Sequence, residues 1–241
     1  MESLLTISIG QYQAVELTLK LGLALLGMLA FLMVASASCV LPSYRVPLFL
    51  GAAALLGALW FQAGVLDAWK EAFELAGTSF CVTGHLLDTG DRVMAWAVGV
   101  PLILFSFCSL GISTSRKDPK TAFALVSAFM LLAVAIGAIF YTPVAGGILI
   151  GWIFILWHRG YPKPVLLRES RIAISSVLLG MILTWLGSRG FLPLGKTADA
   201  VLVHGEIIRG IADILSFVIP GTLLLMGVLG RSRDEEVSAL R

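Results

Sequence analysis

Charge is scarce in this sequence. Asp, Glu, Lys and Arg make up 13% of its 241 residues, and the formal net charge is only +2. So even a balance leaves no basic stripe for a nucleic acid to follow. Cysteine is scarce as well. Cys39, Cys81 and Cys108 are an odd set without metal-ligand spacing, which reads as isolated thiols rather than a disulfide framework or a zinc site. No repeat of solenoid period, low-complexity segment or separate soluble domain interrupts the chain. The start, Met1-Glu2-Ser3, lacks the basic flank of a signal peptide, and the apolar run after it is too long for one. No constellation of catalytic side chains emerges either, so the reading is not that of an enzyme.

What fills the chain instead is apolar. Hydrophobic residues make up 58% of it, and the mean hydropathy is +0.94. Seven runs approach the ~20 residues that cross a bilayer: 11–36, 46–65, 92–113, 121–140, 143–158, 172–190 and 204–229. The basic residues orient them. With the N-terminus outside, the inner loops and tail hold Arg45, Arg116, Lys117, Lys120, Arg159, Lys163, Arg168, Arg171, Arg231, Arg233 and Arg241. The outer side keeps only Lys20, Lys70, Arg92, Arg189, Lys196 and Arg209. An N-out, C-in chain needs an odd number of spans, as seven is. The expected fold class is an all-α membrane protein: one domain over 1–241, a seven-transmembrane helix bundle in a lipid bilayer, N-terminus outside and C-terminus cytoplasmic. Its outer loop is expected at 66–91, its cytoplasmic loops at 37–45, 112–120 and 159–171, and its tail at 230–241. His85 sits among acids in the outer loop, but without fixed ligand spacing it reads as part of a solvated loop rather than a metal site.

Charges inside apolar runs are expensive and usually face the bundle interior. Glu16 and Lys20 are spaced i,i+4 in the favourable order and form a possible intramembrane pair. Lys20 can snorkel outward beside Glu16, or face the bundle and pair with Asp213. In the last run, Glu206, Arg209 and Asp213 follow at spacings of three and four and share one helix face. Arg92 enters the third run from the same outer end. These four side chains are expected to gather as a buried charge cluster, either as a structural network or as a working site.

The last run also resembles a known pattern. Ile211-Ala212-Asp213, closing on Gly221, resembles the seventh helix of the microbial (type 1) rhodopsins, aliphatic-Ala-Asp-x-x-x-Lys-x-x-x-Gly. In the third run, Arg92-Val93-Met94-Ala95-Trp96-Ala97-Val98-Gly99-Val100-Pro101-Leu102 resembles that family's Arg-Tyr-x-Asp-Trp-x-x-Thr-x-Pro-Leu. The Gly- and Trp-containing stretch around Trp152 and the Trp185 of the sixth run resemble the corresponding helices, and Leu59-Trp60-Phe61-Gln62 the aromatic end of the second. The resemblance implies a retinal pocket walled by Trp96, Trp152 and Trp185. It also implies what has been lost. Phe217 stands at the Schiff-base lysine, Ala95 at the primary counterion, and Gly99 at the threonine. Ser106 stands where pumps often place a carboxylic proton donor.

A Schiff base needs a primary amine, and pumping needs groups that take and return a proton in order. Apart from Lys20, no lysine lies within the spans, so a covalent retinal and a light-driven pump are not expected. The resemblance leaves two classes of function open. One is a structural or regulatory scaffold, as a homo-oligomer (the family commonly forms trimers or pentamers) or as a hetero-oligomer with a true rhodopsin. The other is a sensor or binder of non-covalent retinal, a carotenoid or another apolar ligand in the pocket of Trp96, Trp152, Trp185, Phe217, Ala95 and Gly99. A passive ion or proton path past Arg92 and Asp213 is a weaker third. The expected location is a prokaryotic plasma (inner) membrane.

Overall fold

Ser8 sets the start of the first helix. Its hydroxyl accepts the Gln11 N–H at 3.2 Å, while the Gln11 side chain accepts the Ser8 N–H at 2.8 Å. This reciprocal cap satisfies two of the amides that a helix start leaves free. In the computed structural model, which describes residues 5–85, 90–114, 168–188 and 197–239, α1 then runs over Ile9–Ser36 and ends in a 3₁₀ turn at Ala37–Cys39. The second helix, α2 (Pro42–Ala72), opens on a proline whose missing N–H costs nothing at that position. The third, α3, spans Gly90–Thr114, α4 spans Arg168–Ser188, and α5 runs over Ala198–Ala239 with a π-helical segment at Ile214–Val218.

Ile9–Cys39, Pro42–Ala72, Gly90–Phe107 and Ala198–Ala239 are each long and apolar enough to cross a membrane. The expected spans at 121–140 and 143–158, and the loop at 112–120 beyond Thr114, lie outside the described residues. Large apolar side chains point away from the bundle: Phe31 is 71% exposed and Trp60 78%. Such a surface is stable against lipid and not against water. Between helices, small residues permit close approach. A Cβ placed on Gly221 of α5 would lie 2.6 Å from the Leu29 side chain of α1.

Several helix ends differ from expectation, each for a tertiary reason. The α2 helix continues to Ala72, well into the stretch assigned to the outer loop, because its last turns bury Trp69 and Ala72. Trp69 packs 4.7 Å from Phe73 and stacks on Tyr12 at 5.7 Å. At the inner end the loop at 37–45 is shortened by α2 starting at Pro42. The tail at 230–241 is helical through Ala239, where Ser232 accepts the Leu41 N–H at 2.9 Å and Tyr44 donates to Glu235 at 2.5 Å. Helix α4 likewise begins at Arg168, inside the stretch 159–171.

The outer end carries a small antiparallel sheet of order β1-β3-β2, with β1 at Thr6–Ser8, β2 at Phe73–Ala76 and β3 at Ser79–Val82. Ile7 and Leu75 flank Phe80 in register. Gly77, at φ +66°, makes the β2–β3 turn that a residue with a Cβ would resist. Phe80 stacks flat on Tyr12 at 3.8 Å, which ties the sheet to α1.

Candidate functional site

Arg92 lies in the first turn of α3, and its guanidinium reaches across to α5. Its Nη1 donates to Glu206 Oε2 at 2.8 Å and its Nε to Asp213 Oδ2 at 3.2 Å. Arg209 donates to the second oxygen of Glu206. The spacings of three and four along α5 therefore place Glu206 between two guanidiniums and leave Asp213 about two turns deeper. The Arg92, Glu206 and Asp213 side chains are 2%, 5% and 6% exposed, so little water is left to share their charge. Two cations and two anions cancel, which is how a bundle interior can hold all four.

Asp213 has a further partner that the sequence had not suggested. The Trp96 indole, one turn beyond Arg92 on α3, donates to its other oxygen at 2.6 Å. Trp96 thus serves both as apolar wall and as hydrogen-bond donor to the deepest carboxylate. Gln62 of α2 is also at the site, 4% exposed, with its amide beside the Asp213 carboxylate. Sequence reasoning had placed it only at the end of an aromatic stretch. A polar amide inside an apolar run was the signal that could have found it.

The π-helical segment begins immediately after Asp213. Such a wide turn inserts one residue into a helix and frequently sits at functional sites. Phe217 lies in it, fully buried, and meets Trp96 edge-on at 6.0 Å and 76°. The ring occupies the space that Gly99 leaves open: a Cβ on Gly99 would come within 2.7 Å of Phe217 Cε1. Ala95, one turn before Gly99, is fully buried too. Trp152 and the side chain of Trp185 lie outside the described residues. Ser106 is buried and spends its hydroxyl on the Ile103 carbonyl of its own helix.

Glu16 and Lys20 form their pair at 2.8 Å, but not inside the bundle. The Lys20 side chain is 54% exposed, so the alternative in which it turns inward to Asp213 is corrected. With Arg92 already on Asp213, burying a second cation there would leave a charge uncompensated. Lys20→Met is accordingly expected to change stability by less than about 1 kcal/mol, measured by detergent-induced unfolding of the purified protein. His85 stands exposed in its turn, with its N–H on the Thr83 hydroxyl.

A bundle of apolar helices around a neutralised charge cluster and an aromatic plug defines an integral membrane protein with a polar interior site. Comparison with solved structures places its fold. The chain is similar to xanthorhodopsin, a light-driven ion pump with dual chromophore, at a TM-score of 0.76 and 19% identity over 97% of this chain and 99% of that one. It is similar to a thermophilic rhodopsin at 0.77 and 20%, again over 97% and 99%. For the rhodopsin of Exiguobacterium sibiricum the values are 0.67 and 17%, over 94% and 100%. No family model matches the sequence, and no curated protein does. What the chain shares with these structures is the fold, the seven-helix bundle of the microbial rhodopsins.

Proposed function

We propose that this chain is a rhodopsin-like protein that forms no Schiff base with retinal, pumps no ion under light, and works as a structural or regulatory scaffold in the membrane. The observation that carries this reading is Phe217. The family pattern puts the retinal-bearing amine at this position, and here a fully buried phenyl ring fills the space against Trp96 and Gly99. Among the described residues the lysines are Lys20 and Lys70, whose side chains are 54% and 45% exposed on the outside of the bundle. Neither offers an amine to an aldehyde held inside. Ala95 removes the carboxylate that would take up a Schiff-base proton. The scaffold survives this loss of chemistry, which favours a role in assembly: a homo-oligomer, or a mixed oligomer with a true rhodopsin in a prokaryotic plasma membrane.

The protein purified after expression with all-trans-retinal is expected to be colourless, with no visible band that hydroxylamine bleaches. Isolated in mild detergent from native membranes, it is expected to bring a rhodopsin or another membrane protein with it. A hydroxylamine-sensitive band would overturn the absence of covalent retinal. A chain that always isolates alone and as a monomer would overturn the scaffold role. Retinal or a carotenoid that follows the protein but extracts intact would replace that role with non-covalent ligand binding.

A further inference from the structure

One charged pair plays no part in the site between α3 and α5: Glu16 and Lys20 of α1, joined at 2.8 Å on the outward face of the bundle. Their depth makes that position costly. The 28 residues of α1 make a helix about 42 Å long, which overhangs a hydrocarbon core of about 30 Å by only about 6 Å at each end. Lys20 lies about 16 Å below the start. Thr18, half a turn earlier, packs against Gly210 of α5, where an added Cβ would stand 2.7 Å from its Cγ2. The pair is therefore level with the buried charges of α5, yet the Lys20 side chain is 54% exposed and that of Glu16 22%. An ammonium has three donors and a carboxylate two acceptor oxygens. Among the described residues, the contact with each other is the one ion pair that either makes. Lipid tails can satisfy none of the remaining donors and acceptors, and charges inside a membrane otherwise face protein.

We infer that this face of α1 is the seat of a second copy of the chain, and that each Lys20 reaches across to the Glu16 of the other copy. Such an interface deepens the scaffold role in its homo-oligomer form, on which it rests. Two copies inserted in the same direction pair about a two-fold axis along the membrane normal, so whatever one offers it also receives. Glu16 and Lys20 supply both halves. Four alternating charges close into a neutral ring, with each ammonium between two carboxylates. A partner of single charge would leave half of the pair unmatched. The stripe around them suits a helix contact. Leu17, Lys20, Ala24, Met28 and Phe31 recur at spacings of three and four, and all are exposed. Ala24 is small enough for two backbones to approach there. In a detergent micelle water reaches the pair, so monomer stability in detergent does not report this association.

The test is a cross-link in the membrane where the full chain is expressed. With Cys39, Cys81 and Cys108 replaced by Ser, Ala24→Cys is expected to give a disulfide-linked dimer under copper phenanthroline. Leu56→Cys, at a position 51% exposed on α2, sets the level of random collision. Lys20→Glu or Glu16→Lys leaves like charges facing each other and is expected to lower the Ala24→Cys dimer about tenfold. Co-expressed under different tags, the Lys20→Glu and Glu16→Lys chains are expected to cross-link with each other and not with themselves. If a charge-reversed chain does not fold alone, Glu16→Gln with Lys20→Met removes both charges and is expected to lower the dimer toward the collision level. An Ala24→Cys dimer no stronger than that level, or one unchanged by charge reversal, overturns the interface. The scaffold role is judged separately: a chain that brings another membrane protein through mild detergent keeps that role even where the α1 interface fails.

Discussion

Phe217→Lys combined with Ala95→Asp is expected to turn a colourless protein into one that takes up retinal and absorbs visible light. The geometry explains why both changes are needed. Phe217 is buried against Gly99 of α3, and Ala95 lies one helical turn before Gly99 on the same face. Removing the ring opens the space it fills, and a lysine there is long and flexible enough to use it. Its amine attacks the retinal aldehyde carbon, the C=N bond forms, and water leaves. The protonated product then needs an anion beside it. Asp213, four residues earlier on α5, already accepts from Arg92 and Trp96, so it is poorly placed to balance another charge. The carboxylate that Ala95→Asp introduces supplies the missing one. Phe217→Lys alone is therefore expected to bind retinal as a largely unprotonated Schiff base at neutral pH, and to gain its visible band only on acidification. The readout is the visible spectrum before and after hydroxylamine. A folded double variant that stays colourless would overturn the equation of Phe217 with the retinal lysine.

The interiors of the described helices were legible in the sequence because apolar runs of spanning length admit few other structures. Their ends were not, because contacts far away in the chain decide them. Nothing local in the stretch 66–72 shows that Trp69 will stack on Tyr12, and nothing in the tail shows that Glu235 will meet Tyr44. The strand at Thr6–Ser8 was missed for the same reason: three residues acquire β structure only by pairing with β3. The charge cluster was legible because residues 206, 209 and 213 share a face and a carboxylate at that depth must find a partner. The side on which Lys20 falls was not. An i,i+4 pair with Glu16 forms equally well facing lipid or bundle, and only the packed helix fixes its rotation. Neutral polar groups were the hardest to place. Trp96 and Gln62 carry no charge that demands a partner, so their meeting with Asp213 became visible only once α2, α3 and α5 were brought together. The π-helical segment has no sequence signature at all in Ile214–Val218.

Arg92→Leu is expected to lower stability by about 3–5 kcal/mol, the cost of breaking a buried ion pair by removing one partner. Two anions lose their common cation at once. Glu206 keeps Arg209, whose side chain is 16% exposed, but among the described residues Asp213 keeps no ion-pair partner, only neutral donors such as the indole N–H of Trp96. The remaining charge then sits in a site too dry to solvate it. Asp213→Asn made in the Arg92→Leu background removes that stranded charge and is expected to recover part of the loss. The two substitutions together should therefore cost less than the sum of their separate effects, which a double-mutant cycle measures directly. The unfolding equilibrium in mixed detergent micelles is the appropriate measurement, with Lys20→Met as the control for an exposed pair. A strictly additive cycle would mean that Arg92 and Asp213 do not interact. A strong coupling places the ion pair among the contacts that hold the two helices in register, and with them the faces on which Phe217, Trp96 and Gln62 meet.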